Sequence, residues 1–228
     1  MVLMYLKKYD YVWFSCRAVA ESVKTESWRF MMKVKPYDNT ISDPEAEDRF
    51  IANLKEILYR LPSVSSEITS HIKEGDQITE RMREVRNKTL EDRKVFYIQN
   101  RIRDQIDWYA TKSDWNRNKY SQWFFLTWFL QFAAIAVAVI TIICFSYSLI
   151  RPVGLITTAA AGAMTWMHSK SYRELNQSYG LIAQELSFLE VQAKRVTTEK
   201  ELADIVMDVE RTISREHIIW LTRRFRES

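Results

Sequence analysis

Apolar positions along this chain follow two rhythms, and the change between them falls near Ser121. From Ser121 to Ile150 thirty consecutive residues carry no formal charge (SQWFFLTWFLQFAAIAVAVITIICFSYSLI), more than the ~20 that cross a bilayer core at a rise of about 1.5 Å each. The first turns are therefore expected at the interface, where Trp123 and Trp128 suit the headgroup level because one edge of an indole can stay wet. After Ile150-Arg151-Pro152-Val153-Gly154, a second uncharged run extends from Pro152 to Ser169. It reaches roughly the minimum length for crossing, with Trp166 as an interface aromatic near its end. A core helix of a soluble protein seldom stays apolar on every face for as long as the first run. The pattern thus predicts a transmembrane hairpin with a turn of a few residues, and a run that starts after residue 120 is not placed like a signal peptide.

Outside the hairpin the apolar positions recur at helical spacing on one face only. Ser42-Asp43-Pro44-Glu45 reads as a helix start, with Pro in the first turn and acids near the positive end of the dipole. Phe50, Ile51, Leu54, Ile57, Leu58 and Leu61 give that helix an apolar face, and Pro62 with a Ser-rich stretch ends it. Thr89-Leu90-Glu91-Asp92 matches a capping box, after which Val95, Ile98, Ile102, Ile106 and Tyr109 keep a stripe with no breaker before Ser121. One helix is therefore expected to run from residue 89 through the first span. Leu175, Tyr179, Ile182, Leu186, Leu189, Ala193 and Val196 alternate spacings of four and three, the signature of a coiled-coil seam. Its partner is either the 89–120 stalk of the same chain, made antiparallel by the short membrane turn, or another subunit. A second capping box, Thr198-Glu199-Lys200-Glu201, opens a last helix with Leu202, Ile205, Val206, Val209 and Ile213 on one face. Near the N-terminus, Trp13 to Met32 is an aromatic and basic helix ending in Trp28-Arg29-Phe30-Met31-Met32, suited to the membrane interface or to packing on the other helices.

Charge orients this picture and narrows the partners. The 228 residues hold 33 Lys+Arg and 29 Asp+Glu, a formal charge of +4. Bases and acids are interleaved and only Arg223, Arg224 and Arg226 cluster, where anionic lipid would serve them as well, so nucleic acid is not an expected partner. A mean hydropathy of −0.28 describes a soluble protein, but the average hides a partition: Arg151 is the only fully charged side chain between Ser121 and Ser169. Arg101, Arg103, Lys112, Arg117 and Lys119 precede the first span, and Lys170 and Arg173 follow the second. The positive-inside rule then puts both termini in the cytoplasm. Within the spans, Ala134/Ala138, Thr158/Gly162 and Ala159/Ala163 are small pairs four residues apart, a spacing that lets backbones approach in lipid, although Ala and Gly are also ordinary filler there. Gln131, Thr141, Thr157, Thr158 and Thr165 suit a wet path or hydrogen bonds between helices. Neither span contains a carboxylate or Lys, which disfavours selective transport through a charged relay.

Catalytic chemistry is not expected. Cys16 and Cys144 form a single possible pair and exclude a disulfide framework, a CxxC motif and Cys/His metal spacing. Four Gly and four Pro leave no Gly-rich phosphate loop and no flexible linker. His71 lies in the Ser-rich stretch, His168 at a membrane edge and His217 in the terminal helix, none with a nucleophile or metal arrangement beside it. Glu216 points about 100° away from its neighbour His217 on a helix, so adjacency makes no dyad. Arg215, Glu216, His217, Trp220 and Arg223 read either as a helix-packing and salt-bridge cluster or as a sensor surface. No cofactor and no metal follow from these residues.

The run YIQNRIRDQIDWYATK, Tyr97 to Lys112, contains Arg101, Gln105, Trp108 and Tyr109. Followed by Asn116, the two-span hairpin and the closing ISREHIIWLTRR, it resembles the SLATT domains, the SMODS and SLOG-associating two-transmembrane effector domains. The segment AESVKTESWRFMM, Ala20 to Met32, with Trp28 and Arg29, resembles another motif of the same group. The resemblance implies a bacterial inner-membrane effector encoded beside nucleotide-second-messenger synthases or nucleotide-sensing domains, one that oligomerises and breaches the membrane during phage defence. Relatives with the WRFMM-like segment often carry an additional membrane hairpin upstream, whereas about a dozen residues precede Trp13 here. A shortened member or a misassigned start codon is the expectation from that departure.

The expected fold is an all-α membrane protein, a two-helix transmembrane hairpin continuing into a cytoplasmic antiparallel helical bundle or coiled coil. Its parts are an N-terminal aromatic and basic segment (1–40), cytoplasmic helices and stalk (41–120), the hairpin (121–169) and the coiled-coil and terminal helices (170–228). The expected function is a pore-forming or membrane-disrupting effector whose hairpins associate through small faces, held inactive by the cytoplasmic helices until a signal shifts the equilibrium. Its partners would be membrane lipid, further copies of itself, and a sensor or nucleotide-signal synthase. The alternative is a constitutive membrane scaffold that docks a soluble partner and permeabilises nothing.

Overall fold

The computed structural model describes residues 2–59, 76–143 and 150–226, with side chains described over 16–59, 76–143 and 152–214. Pro62, the Ser-rich stretch with His71, and the turn between the two apolar runs lie outside the described residues. So do the side chains of Trp13, Arg151, Arg215, Glu216, His217, Trp220 and Arg223.

The described elements are all helical: α1 (Val2–Met31), α2 (Asp43–Tyr59), α3 (Glu80–Arg86), α4 (Leu90–Tyr97), a π-helical turn (Ile98–Ile102), α5 (Arg103–Ile143), α6 (Ile150–Ser169), α7 (Tyr172–Ala193) and α8 (Glu199–Arg226). They divide into two compact units, one made of Met1–Gln105 with Glu185–Ser228 and the other of Ile106–Gln184. α4, the π turn and α5 form one continuous helix of 54 residues, Leu90–Ile143, as the absence of a breaker predicts.

In the first unit the helix starts follow from local side chains. Ser42 Oγ accepts from the Glu45 N–H at 3.4 Å and Thr89 Oγ1 from the Asp92 N–H at 3.2 Å. At α8 the box is reciprocal: Thr198 Oγ1 accepts from the Glu201 N–H at 3.3 Å, and Glu201 Oε2 accepts from the Thr198 N–H at 3.2 Å. The backbone N–H groups of Thr197 and Thr198 together hold the Glu201 carboxyl below the usual carboxylate range.

The other end of α1 is closed by two devices. The Val34 N–H bonds Arg29 O at 2.9 Å and the Lys33 N–H bonds Phe30 O at 3.3 Å, with Lys33 in the left-handed region at φ 56°, which is the Schellman pattern. Two buried arginines then meet carbonyls at and just beyond this end: Arg86 donates to Phe30 O and Tyr37 O, each at 2.8 Å, and Arg93 donates to Met32 O at 3.1 Å. Cations at a helix C-terminus gain both hydrogen bonds and the dipole. The rings of Phe30, Tyr37 and Phe50 close a triangle over this turn at 5.1 to 6.0 Å. Trp28 packs on Phe96 and Tyr97 at 5.9 and 5.4 Å, so of the two settings open to it, it takes packing on protein. On α8, Leu202, Val206, Val209 and Ile213 are buried as their spacing predicts.

In the second unit α5 lies against α7. Trp108 and Tyr109 both meet Tyr179 at 5.8 Å, Ser113 Oγ donates to Asn176 O at 2.9 Å, and Trp115 meets Tyr172 at 6.0 Å. Residue numbers fall along α7 as they rise along α5, so the two helices run antiparallel and the chain supplies a partner to this part of its own seam. α6 passes into α7 through a tight turn in which Ser171 takes φ 48° and its N–H bonds His168 O at 3.0 Å.

Candidate functional site

Two features stand out when burial is compared with residue chemistry: an apolar helix that is not buried, and a set of charges that is. The continuous helix Leu90–Ile143 is the one described helix long and apolar enough to cross a membrane, and only 11 % of its most apolar window is buried. The core helix of a soluble protein would be mostly buried; here Phe125, Phe129 and Ile142 stand 67 %, 70 % and 72 % exposed. An apolar surface of this kind calls for lipid or another protein. α6, twenty residues long, has the length of a span with a milder composition of Ala, Thr and Gly. Trp123 on α5 meets Trp166 on α6 at 6.3 Å, while Trp128 is exposed and contacts Phe124 and Phe132 on its own helix.

The small residues singled out in the sequence divide by environment. Ala134 and Ala163 are buried within the unit, joined there by Ala160 and Met167, and Ala138 is half-buried. Thr158, Ala159 and Gly162 are exposed, and a Cβ built on Gly162 meets nothing within 4 Å. The threonine hydroxyls bond close to their own positions in the chain. Those of Thr141, Thr158 and Thr165 each donate to a carbonyl four residues back in the same helix at 2.8 Å, and that of Thr157 to Val153 O at 3.0 Å. Each donates within its own helix.

The buried charges lie in the first unit. Arg93, Tyr97 and Arg101 on one row, and Lys94, Ile98 and Ile102 on the next, are all buried. Each row advances by four residues, and each such step overshoots a 3.6-residue turn by about 40°. The wide turn at Ile98–Ile102, closed by the Arg103 N–H on Ile98 O, absorbs part of that overshoot and keeps both rows facing inward. Arg101 thereby reaches Glu210 of α8 in a two-pronged pair: Nε to Oε1 at 2.9 Å and Nη2 to Oε2 at 2.7 Å, with both side chains 3 % exposed. The Tyr97 hydroxyl donates to Oε1 at 3.0 Å and the Thr25 hydroxyl to Oε2 at 2.8 Å. One carboxylate thus fastens α1, α4, the π turn and α8. Nearby, Lys94 donates to Val196 O at 3.0 Å and pairs with Glu91 at 2.6 Å, and Arg93 pairs with Glu199.

The electrostatics favour the charged form of Arg101 and the neutral form of Tyr97. Burial opposes the Arg101 cation, but the hydrogen bond and charge of Glu210 outweigh it and hold the guanidinium above its ordinary value. Burial first, and then the Glu210 charge, push the Tyr97 phenol well above its ordinary value of 10.0. The phenol therefore stays protonated in the folded chain where the unfolded chain has begun to titrate. Above that pH the unfolded state binds fewer protons, so stability is fully present below about pH 10 and falls at higher pH by about 1.4 kcal/mol per unit. Urea midpoints followed upward from neutral pH should decline once pH passes about 10, and Tyr97→Phe should flatten that decline.

The other singled-out residues are distributed rather than gathered. Arg29 pairs with Glu26 at 2.6 Å and donates to Lys35 O, and Gln105 is half-buried and donates to Asp104 at 3.2 Å. Trp108 and Tyr109 belong to the aromatic contact with Tyr179 in the second unit. The reading of the sequence missed Thr25, Tyr97 and Glu210 as site residues. One signal was available: Glu210 shares the face of Val206, Val209 and Ile213, and a carboxylate on an apolar face needs a cation opposite.

No curated protein and no solved structure matches the chain. Family models do: SMODS and SLOG-associating 2TM effector domain 3 matches residues 1–94, and SMODS and SLOG-associating 2TM effector domain 1 matches residues 97–220. The second match spans more than half of the chain, carries the Tyr97–Lys112 run, both apolar helices and Glu210, and shows that this chain belongs to the SLATT family.

Proposed function

We propose that α5 and α6 form a hairpin across the bacterial inner membrane with both termini in the cytoplasm, and that several copies associate and permeabilise the membrane once a signal releases them. The observation that carries this reading is the apolar window of the Leu90–Ile143 helix, 11 % buried. SLATT two-transmembrane effector domains point to a membrane-effector role in defence systems, and the reading extends that role to a mechanism. Lys119 and Lys170 flank the two apolar stretches, which supports a cytoplasmic location for both flanks. Threonines bonded to their own helices support spans that sit in lipid without a charged relay. The exposed face of Thr158, Ala159 and Gly162 supports close packing between copies. In this reading the cytoplasmic helices form an antiparallel bundle that restrains the spans, the role is not catalytic, and the partner that supplies the trigger is a sensor or nucleotide-signal synthase.

The test is expression in bacteria of the full chain, alone and with its genomic neighbours, followed by growth and the entry of a membrane-impermeant dye. An effector arrests growth and admits dye in at least one of the two conditions. A scaffold present at the membrane with normal growth and no dye in both would overturn the reading.

A further inference from the structure

Four arginines of the first unit are matched by carboxylates: Arg83 by Glu47, Arg86 by Asp43, Arg93 by Glu199, Arg101 by Glu210. Lys119 and Lys170 in the second unit have no carboxylate partner among the described residues, and each rides on an indole instead. Lys119 Nζ lies 5.9 Å from the Trp115 ring centre and Lys170 Nζ 4.7 Å from that of Trp166. The only polar contact described for the Lys119 ammonium is Gln122 Oε1 at 3.3 Å. The neighbouring Arg117 lies 3.1 Å from Asp114 in an exposed pair.

These groups share one surface. Trp115, Lys119 and Trp123 follow one another at four-residue steps along α5, Trp123 meets Trp166 at 6.3 Å, and Trp115 meets Tyr172 at 6.0 Å. A helix dipole accounts for a lysine just past the last turn of α6, but not for Lys119 in the interior of the 41-residue α5. The step from Trp123 back to Lys119 is about 6 Å of helix rise, which carries the ammonium outward to the headgroup phosphates when the indole sits at the interface.

We infer that this surface binds the headgroup of an anionic phospholipid, its phosphate held by Lys119 and Lys170 and its glycerol and upper acyl carbons lying against Trp123 and Trp166. The inference rests on the membrane-hairpin reading above. A zwitterionic headgroup brings the same phosphate with its own compensating cation, so two lysines without carboxylates favour the lipid of net negative charge. Each lysine near the surface contributes a factor of about five at low salt, less as salt screens it.

The experiment reconstitutes the purified full chain into phosphatidylcholine vesicles containing a small fraction of phosphatidylglycerol, with bromine on the acyl chains of one lipid or the other, and reads quenching of indole fluorescence. The expected result is that brominated phosphatidylglycerol quenches more than an equal fraction of brominated phosphatidylcholine, corresponding to a local enrichment of about fivefold or more at low salt. Lys119→Gln with Lys170→Gln should remove the excess while phosphatidylcholine quenching persists. Equal quenching by the two lipids in the parent chain, or an excess unchanged in the double variant, would overturn the inference. So would loss of the excess to inorganic phosphate but not to chloride at matched ionic strength, since that would assign the surface to a soluble anion. Absence of quenching by either lipid would instead contradict the membrane-hairpin reading itself.

Discussion

Replacing Arg101 by alanine is expected to destabilise the folded chain by about 3–5 kcal/mol, the range for breaking a buried ion pair from one side. Glu210, 3 % exposed in the parent chain, would keep only the Tyr97 and Thr25 hydroxyls among its described partners, and these do not neutralise a carboxylate. Glu210→Ala should cost a similar amount, because it strands a guanidinium in the same enclosure and leaves two hydroxyls without their acceptor. Replacing both charges together, Arg101→Met with Glu210→Leu, should recover most of the loss and leave about 1–3 kcal/mol for the unsatisfied hydroxyls. The exposed pair Arg81–Glu84, at 62 % and 53 % side-chain exposure, is the control, and its disruption should stay within about 0.5 kcal/mol. Urea unfolding of the detergent-solubilised chain, followed by circular dichroism, measures all four. If Arg101→Ala costs no more than Arg81→Ala, the cluster does not fasten the unit.

The second large effect is functional. Gly162→Leu is expected to abolish dye entry while the amount of protein in the membrane fraction stays at the parent level. A Cβ at this position meets nothing within 4 Å on an exposed part of α6, so a larger side chain has room to point outward, and leucine raises the hydropathy of the helix. In the proposed assembly, what leucine removes is the close approach of another copy's helix to the exposed face beside Thr158 and Ala159. A loss of activity therefore reports contact between copies and not damage within one. Gly180 differs, since a Cβ there would lie 3.3 Å from Ser113 Oγ, and the same substitution at that site would disturb the α5–α7 contact directly. Dye entry unchanged in a Gly162→Leu chain present at the membrane would remove the small face from the account.

Much of the architecture was legible because its causes are local. A threonine three residues before a carboxylate fixed the starts of α4 and α8, and the hydroxyl-to-N–H bonds at Thr89 and Thr198 are those causes made visible. The apolar stretch of α5 was legible because no soluble packing asks for apolar residues on every face. The π turn was not, since rows such as Arg93–Tyr97–Arg101 overshoot an α-helical turn by a modest angle that periodicity alone does not flag. The identity of the Arg101 partner was not legible either. Glu210 lies 109 residues away, and its position on an apolar face announces that it needs a cation without saying which. The same holds for the α7 seam, where spacing gave the face but only the Trp108–Tyr179 and Ser113–Asn176 contacts give a partner within the chain.

Whether this chain breaches a membrane is read out by the membrane potential of single bacteria, followed with a voltage-sensitive dye. The cells would express the parent chain or Gly162→Leu, each with and without the genomic neighbours and with membrane levels confirmed. An assembled pore collapses the potential with the parent chain in at least one condition and leaves it intact with Gly162→Leu. A potential that stays intact with the parent chain in both conditions would contradict the pore reading.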